Sequence, residues 1–290
     1  MSAYGFRDIH PVIQMIYFLV SLLAIMIFPH PFILSIFVIF LSVYLIKLKG
    51  VKKYFGDIKL FIFLSIIVIL VNPIFNQRGR NILAKFGNRV ITLEAIIYGT
   101  VMALMLISII LLFQIFNEIV NSHKFLYVFS KFAPKSAFLA NMALRYIPLM
   151  RSRFKSLIEL RAKRENYKRL KEKIKVWGSV LSILLTWSFE EAIITADSMK
   201  SRGYELKKRT NYRIFKWRNK DFLTLLVLGL IFITLLIYKF LGVLEFNIYP
   251  KLDPLTITRF NLVAFISIFI LSNLPYTLDE GEKLKWRNLE

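Results

Sequence analysis

The sequence predicts an all-α integral membrane protein with about six transmembrane helices plus long cytoplasmic amphipathic helices, and three observations carry that prediction. Hydrophobic residues make up 57% of the 290 positions and include 27 Phe, more apolar surface than a water-soluble core buries. Six stretches free of charge, near residues 11–28, 31–46, 60–75, 95–117, 222–238 and 260–275, are close to the roughly 17–25 residues with which a helix crosses a bilayer. None alternates with period two as a barrel strand does, and a spanning backbone has to satisfy its own hydrogen bonds, so these runs are predicted as helices.

In chain order, the first run is not followed by a small-residue cleavage site, and Pro31 opens the second run almost at once. Residues 1–30 are therefore expected to remain in the mature chain. Lys47, Lys49, Lys52, Lys53 and Lys59 are read as a short basic loop after the second run. The loop at residues 72–93 carries Arg78, Arg80, Lys85 and Arg89. Beyond the fourth run the charge changes character: residues 116–220 hold 24 of the 40 Lys and Arg but only 8 of the 18 Asp and Glu. Basic residues beside spans translocate poorly, so this segment is predicted to be cytoplasmic. Six spans then place both termini inside and leave the 72–93 loop outside, the larger excess prevailing over its bases. The expected division is a membrane part of four spans at 1–117, a cytoplasmic helical segment at 118–220, and a membrane part of two spans at 221–290.

The cytoplasmic segment is about 100 residues long, too long for a connector. From Ile147 onward Met150, Phe154, Leu157 and Ile158 recur at helical spacing, with Pro148 expected in the first turn of that helix. A second helix is predicted from about Val176 to Arg202. Its Leu181, Leu185, Phe189, Ala192, Ala196 and Met199 form one stripe, expected to pack against the companion helix or the spans. Glu190, Glu191, Asp197, Ser198, Ser201 and Arg202 fall opposite. The two helices are joined by the charged run RAKRENYKRLKEKIK at residues 161–175. The second ends in ADSMKSRGYE at residues 196–205, where Gly203 suits a helix stop and Arg202 complements the negative end of the macrodipole.

Several chemistries are disfavoured by what these residues are. The chain has no cysteine and only three histidines, His10, His30 and His123, far apart in sequence, so no catalytic thiol and no metal site is expected. Adjacent Glu190 and Glu191 diverge by about 100° around a helix. They are read as ion-pair partners of nearby bases, and no catalytic residue is assigned. The six runs lack the ionisable residues that proton- and ion-coupled carriers place in the bilayer. No GxxxxGK[ST] phosphate loop is present, so ATP hydrolysis is not expected on this chain. The pattern is that of a scaffold moved by a partner. An integral-membrane enzyme acting on lipid remains open and requires a carboxylate or His constellation near the headgroups. A self-sufficient channel or carrier also remains open and requires polar pore positions.

The chain resembles the transmembrane T component of energy-coupling factor (ECF) transporters, the membrane coupler of a class of ATP-driven micronutrient importers. The resemblance lies in DIHPVIQMIYFL (8–19), VNPIFNQRG (71–79), ITLEAIIYG (91–99), LRYIPLM (144–150) and SFEEAIITADSMKSRGYE (188–205). It implies a non-catalytic coupling subunit without a cofactor of its own, working with two ABC-type ATPases that carry ATP and Mg and with one small membrane substrate-binding S component, for uptake of a vitamin or metal ion. In that family two Ala-Arg-Gly motifs end the coupling helices and seat on the ATPases. Ser201-Arg202-Gly203 matches the second motif with Ser in place of Ala. The first falls within RAKRENY (161–167), which offers Arg164 but no glycine. The implied docking residues are thus Ser201, Arg202, Gly203 and Arg164, on coupling helices stiffened by Leu181, Leu185, Phe189, Ala192 and Met199.

Overall fold

The structure is a computed structural model that describes residues 5–76, 79, 81–86, 89–162, 170–204, 206, 215–242 and 259–287. Nine α-helices and one short hairpin are formed among these residues. The chain divides into two compact units, Met1–Lys124 together with Phe215–Glu290, and Phe125–Ile214.

The first unit begins with a 3-10 turn, Phe6–Asp8, followed by α1 (Pro11–Ile27), α2 (Pro31–Lys49), α3 (Val51–Phe75), β1 (Ile82–Phe86), β2 (Arg89–Thr92) and α4 (Leu93–Ile119). It closes with α8 (Asn219–Phe240) and α9 (Arg259–Arg287). Proline at the first helical position starts α1 and α2, where the missing N–H costs nothing and φ is already set. His10 Nδ1 accepts the Val12 N–H at 3.3 Å, and the Thr92 hydroxyl accepts the Ala95 N–H at 3.3 Å, capping α1 and α4. The core is built from Phe6, Ile13, Tyr17, Ile33, Leu34, Phe37, Leu41, Ile115, Leu228 and Ile268, among others. Where α3 meets α4, a Cβ on Gly99 would lie 3.3 Å from the Ile69 backbone. A small residue there lets the two helices approach closely.

One detail differs from expectation and two add to it. The basic loop after the second span does not form: Gly50 alone separates α2 from α3, with φ of +82°, a left-handed conformation that favours glycine. Its lysines lie on the helices, where Lys47 pairs with Glu280 at 2.6 Å and Lys49 with Asp57 at 3.1 Å. The 72–93 loop contains an antiparallel hairpin, with Ile82 opposite Thr92. Acidic residues are buried just at span ends: Glu94 opens α4 and receives the Asn81 N–H, and Asp221 opens α8 and receives the Arg218 N–H at 2.9 Å. A carboxylate in the first turn meets unpaired amides and the positive end of the macrodipole, which offsets its burial.

By length and apolarity six of the described helices can cross a membrane: α2, α3, α4, α8, residues Leu262–Gly281 of α9, and residues Ile174–Ser201 of α7 (Leu170–Ser201). The expected set contains α1 in place of that last helix. With 17 residues α1 is about 25 Å long, close to the hydrocarbon thickness. The window in Ile174–Ser201 is the least apolar, with a mean hydropathy of 1.3 against 1.6 to 2.6 for the others.

The second unit holds α5 (Ser122–Phe129) from its Phe125 onward, α6 (Pro134–Ala162) and α7 (Leu170–Ser201). The α6 helix starts 13 residues before Ile147, at Pro134, so Pro148 lies inside it rather than in its first turn. Such a proline removes one helical hydrogen bond. Apolar residues continue at helical spacing on its N-terminal side, and Ala137 N–H bonds the Ala133 carbonyl at 3.0 Å, so the helix is nucleated earlier and carries the defect.

Candidate partner-docking site

The candidate docking surface is the α6–α7 pair and the end of α7. Met150, Phe154, Leu157 and Ile158 of α6 are half-buried, and Val180 and Leu184 of α7 are buried. The face of α7 that the chain covers therefore runs through buried Val180 and Leu184 and half-buried Glu191, Thr195 and Met199. The predicted packing stripe lies about one residue, or 100°, around the helix. Leu181, Leu185 and Phe189 are 55%, 51% and 68% exposed, Ala192 is exposed, and Met199 alone of that set is half-buried. The correction has a simple cause. This helix carries apolar side chains over a wide arc, and periodicity finds the arc without saying which edge of it the chain itself covers.

Polar contacts fix the pair laterally. The Arg153 guanidinium donates to Glu191 Oε2 at 3.3 and 3.4 Å and lies 5.5 Å over the Trp187 ring. Tyr146 and Thr195 hydroxyls share a hydrogen bond at 3.0 Å. Phe154 meets Trp177 edge-on at 6.4 Å. A cleft of about 330 Å³ opens beside the ion pair, lined by Arg153, Trp187, Glu190, Glu191 and Ile194. Glu191 is thus engaged by a cation, as its basic surroundings suggest. The adjacent Glu190 is exposed.

The end of α7 is a complete Schellman motif. The Tyr204 N–H bonds the Met199 carbonyl at 3.0 Å and the Gly203 N–H bonds the Lys200 carbonyl at 2.9 Å, with Gly203 at a φ of +78°. This is the double bond pattern by which a left-handed residue closes a helix. Ser201 Oγ donates to the Ser198 carbonyl at 3.0 Å. Tyr204 then stacks on Phe138 of α6 at 5.7 Å, so the turn is tied to the neighbouring helix. Arg202 sits between helix and glycine, exposed, and takes part in none of the ion pairs among the described residues. Its backbone is fixed by the cap and its charge faces outward. Arg164 lies outside the described residues. Sequence inspection missed the Arg153–Trp187 and Phe138–Tyr204 contacts, which join residues far apart in sequence; the only signal for the latter is an aromatic at the position after the helix-ending glycine, where Schellman turns place an apolar contact.

Comparison with known proteins gives the family. Residues 6–212 match the family model CbiQ, described as cobalt transport protein. The chain is 26% identical over 243 residues to the energy-coupling factor transporter transmembrane protein EcfT of Staphylococcus aureus, covering 78% of this chain and 90% of that protein. It is 31% identical over 197 residues to the EcfT protein of Macrococcus caseolyticus, covering 63% of this chain and 73% of that one. The matched span takes in α1 through α7, including the Schellman-capped tip at Arg202 and Gly203, and the chain therefore belongs to the CbiQ family as an ECF transporter transmembrane T component.

Proposed function

We propose that the chain is the non-catalytic coupling subunit of an ECF-type importer in the cell membrane. It transmits the ATP-driven closure of two cytoplasmic ABC-type ATPases to a small S component that binds a vitamin or metal ion. ATP and Mg belong to the ATPases, and residues 118–220, like both termini, face the cytoplasm. The observation that carries this proposal is the tip of α7, where a capped helix holds an outward Arg202, in no ion pair among the described residues, beside Gly203. Arg suits docking because its planar fork engages several acceptors at once and stays charged. Ser201 and Gly203 shape the tip, and Arg164 is the counterpart on the other coupling helix. The exposed stripe of Leu181, Leu185, Phe189 and Ala192 supports the same view, since exposed apolar side chains in a row mark a surface covered by a partner or lipid.

The test is affinity purification of the tagged chain from detergent extract. Two ABC-type ATPases and one small hydrophobic protein should co-purify in about equal amounts, as a closed complex with one contact per coupling tip requires. Recovery of the chain alone, with flux through it in proteoliposomes, would contradict the proposal.

A further inference from the structure

Both points at which the chain passes between its two units are held, inside the first unit, by one short segment before and at the start of α1. The chain leaves that unit after Lys124 and re-enters it at Phe215. On the leaving side, Lys124 Nζ donates to the Arg7 carbonyl at 2.5 Å, to Gln14 Oε1 at 3.3 Å and to the Ile119 carbonyl at 3.1 Å. It thus caps the end of α4 and binds the N-terminal turn with the same ammonium group. Gln14 is fully buried, and its amide Nε2 donates to the Phe6 and Arg7 carbonyls at 2.7 and 3.0 Å. On the returning side, the Trp217 ring stacks on His10 at 4.1 Å and Phe215 meets His10 edge-on at 6.4 Å. Asp221, 3% exposed, accepts the His10 N–H at 3.5 Å and the Arg218 N–H at 2.9 Å.

The segment is itself anchored. Phe6 packs edge-on against Tyr17 and Phe18 of α1, and its N–H donates to Asp279 Oδ1 of α9 at 2.6 Å. We infer that residues 6–14 form a fixed joint within the first unit, pinning the points at which the chain leaves it, Lys124, and re-enters it, Phe215 to Trp217, with Lys124, Gln14, His10 and Trp217 as its positioning residues. The physical need is plain. Motion passes through rigid elements, whereas a loose linker at either crossing absorbs the displacement in its own dihedral freedom. This inference rests on the coupling function proposed above.

The test uses the complete complex, with its co-purified ATPases and S component, in proteoliposomes. The uptake probe is whichever of radiolabelled riboflavin, biotin, folate or cobalt ion the wild-type complex imports. The double variant K124M/W217A should assemble and hydrolyse ATP as the wild type does, while ATP consumed per molecule imported rises about tenfold, within the usual range of a site-to-site coupling. A merely structural role would lower hydrolysis and uptake together, leaving that ratio unchanged, and an unchanged ratio overturns the joint. The absence of cysteine permits a second arm, in which the pair H10C/W217C is cross-linked in the assembled complex. Uptake that survives cross-linking supports a joint that stays closed through turnover; uptake lost on cross-linking and restored by reduction overturns it. Should the double variant fail to assemble, the cross-link decides alone. Failure of the wild-type complex to show ATP-dependent uptake of any probe would count against the coupling function instead, which keeps the two failures apart.

Discussion

The two units differ in how much apolar surface they bury within themselves. In the first, large side chains such as Tyr17, Phe37, Tyr44 and Ile115 are fully or almost fully buried within the chain's own helices. In the second, only Ala137, Val180 and Leu184 are buried hydrophobics among the described residues, while Trp177, Leu181, Leu185, Phe189 and Ile193 are exposed. Yet both units are helical and both carry long apolar runs. The difference teaches that the first unit has a core of its own beneath outward side chains such as Phe63 and Leu70, which suit lipid, whereas the second has little core and leaves most of its apolar surface for other molecules. What holds the second unit together is a narrow buried seam plus oriented polar contacts.

Substitutions on the two sides of this divide should sort by magnitude. Phe37→Ala in α2 should lower stability in detergent or lipid by about 2 to 3 kcal/mol. The cavity persists, but the transfer part of the cost shrinks because the alternative medium for the side chain is already apolar. Leu184→Ala, in the seam between α6 and α7, should cost about 1 to 2 kcal/mol and raise hydrogen exchange in both helices. An unchanged exchange pattern would show that the seam does not hold the pair. Gly203→Ala should cost about 1 kcal/mol, the penalty of a Cβ at a φ of +78°; a thermal melt of the purified chain measures it. Breaking Arg153–Glu191, whose side chains are 31% and 41% exposed, should change stability by less than about 1 kcal/mol in a double-mutant cycle. Phe189→Ala, at 68% exposure, should change the stability of the isolated chain by less than about 0.5 kcal/mol. That last substitution should nonetheless weaken assembly with partners, and a large loss of stability without partners would place Phe189 in the chain's own core and erase the contrast.

Much of the first unit was legible in the sequence because a bilayer imposes length and apolarity on each span. The expected runs at 31–46, 95–117 and 222–238 differ from α2, α4 and α8 by only a few residues at their ends. The α3 helix reaches back to Val51 because Lys52, Lys53 and Asp57 are acceptable in a helix though not in hydrocarbon, so hydropathy ends before the hydrogen bonding does. The second unit was less legible. Pro148 marks a helix start in a local reading, whereas neighbouring turns on both sides extend the helix through it. The stripe on α7 was found as an apolar arc, but its buried edge is decided by where α6 lies, which no single helix encodes. The helix end at Gly203 was fully legible, since a left-handed stop is a property of the local backbone.

The central claim is that Arg202 anchors an ATPase and does more than close a helix. Gly203→Ala disturbs the cap and keeps the cation; Arg202 substitutions keep the cap and alter the cation, which separates the two roles. Loss of a desolvated, hydrogen-bonded charge from an interface costs about 2 to 5 kcal/mol, so Arg202→Ala should weaken ATPase binding by 30-fold or more in order of magnitude, a factor of ten per about 1.4 kcal/mol. Lys should restore only part of this because it lacks the planar fork. Arg164→Ala should be milder alone. The most direct measurement is co-purification of the ATPases and ATP-driven uptake with Arg202→Glu in the full complex. Substrate binding by the S component should persist while ATPase assembly and uptake are lost; wild-type assembly and uptake in that variant would contradict the claim and leave Arg202 as a residue of the helix end alone.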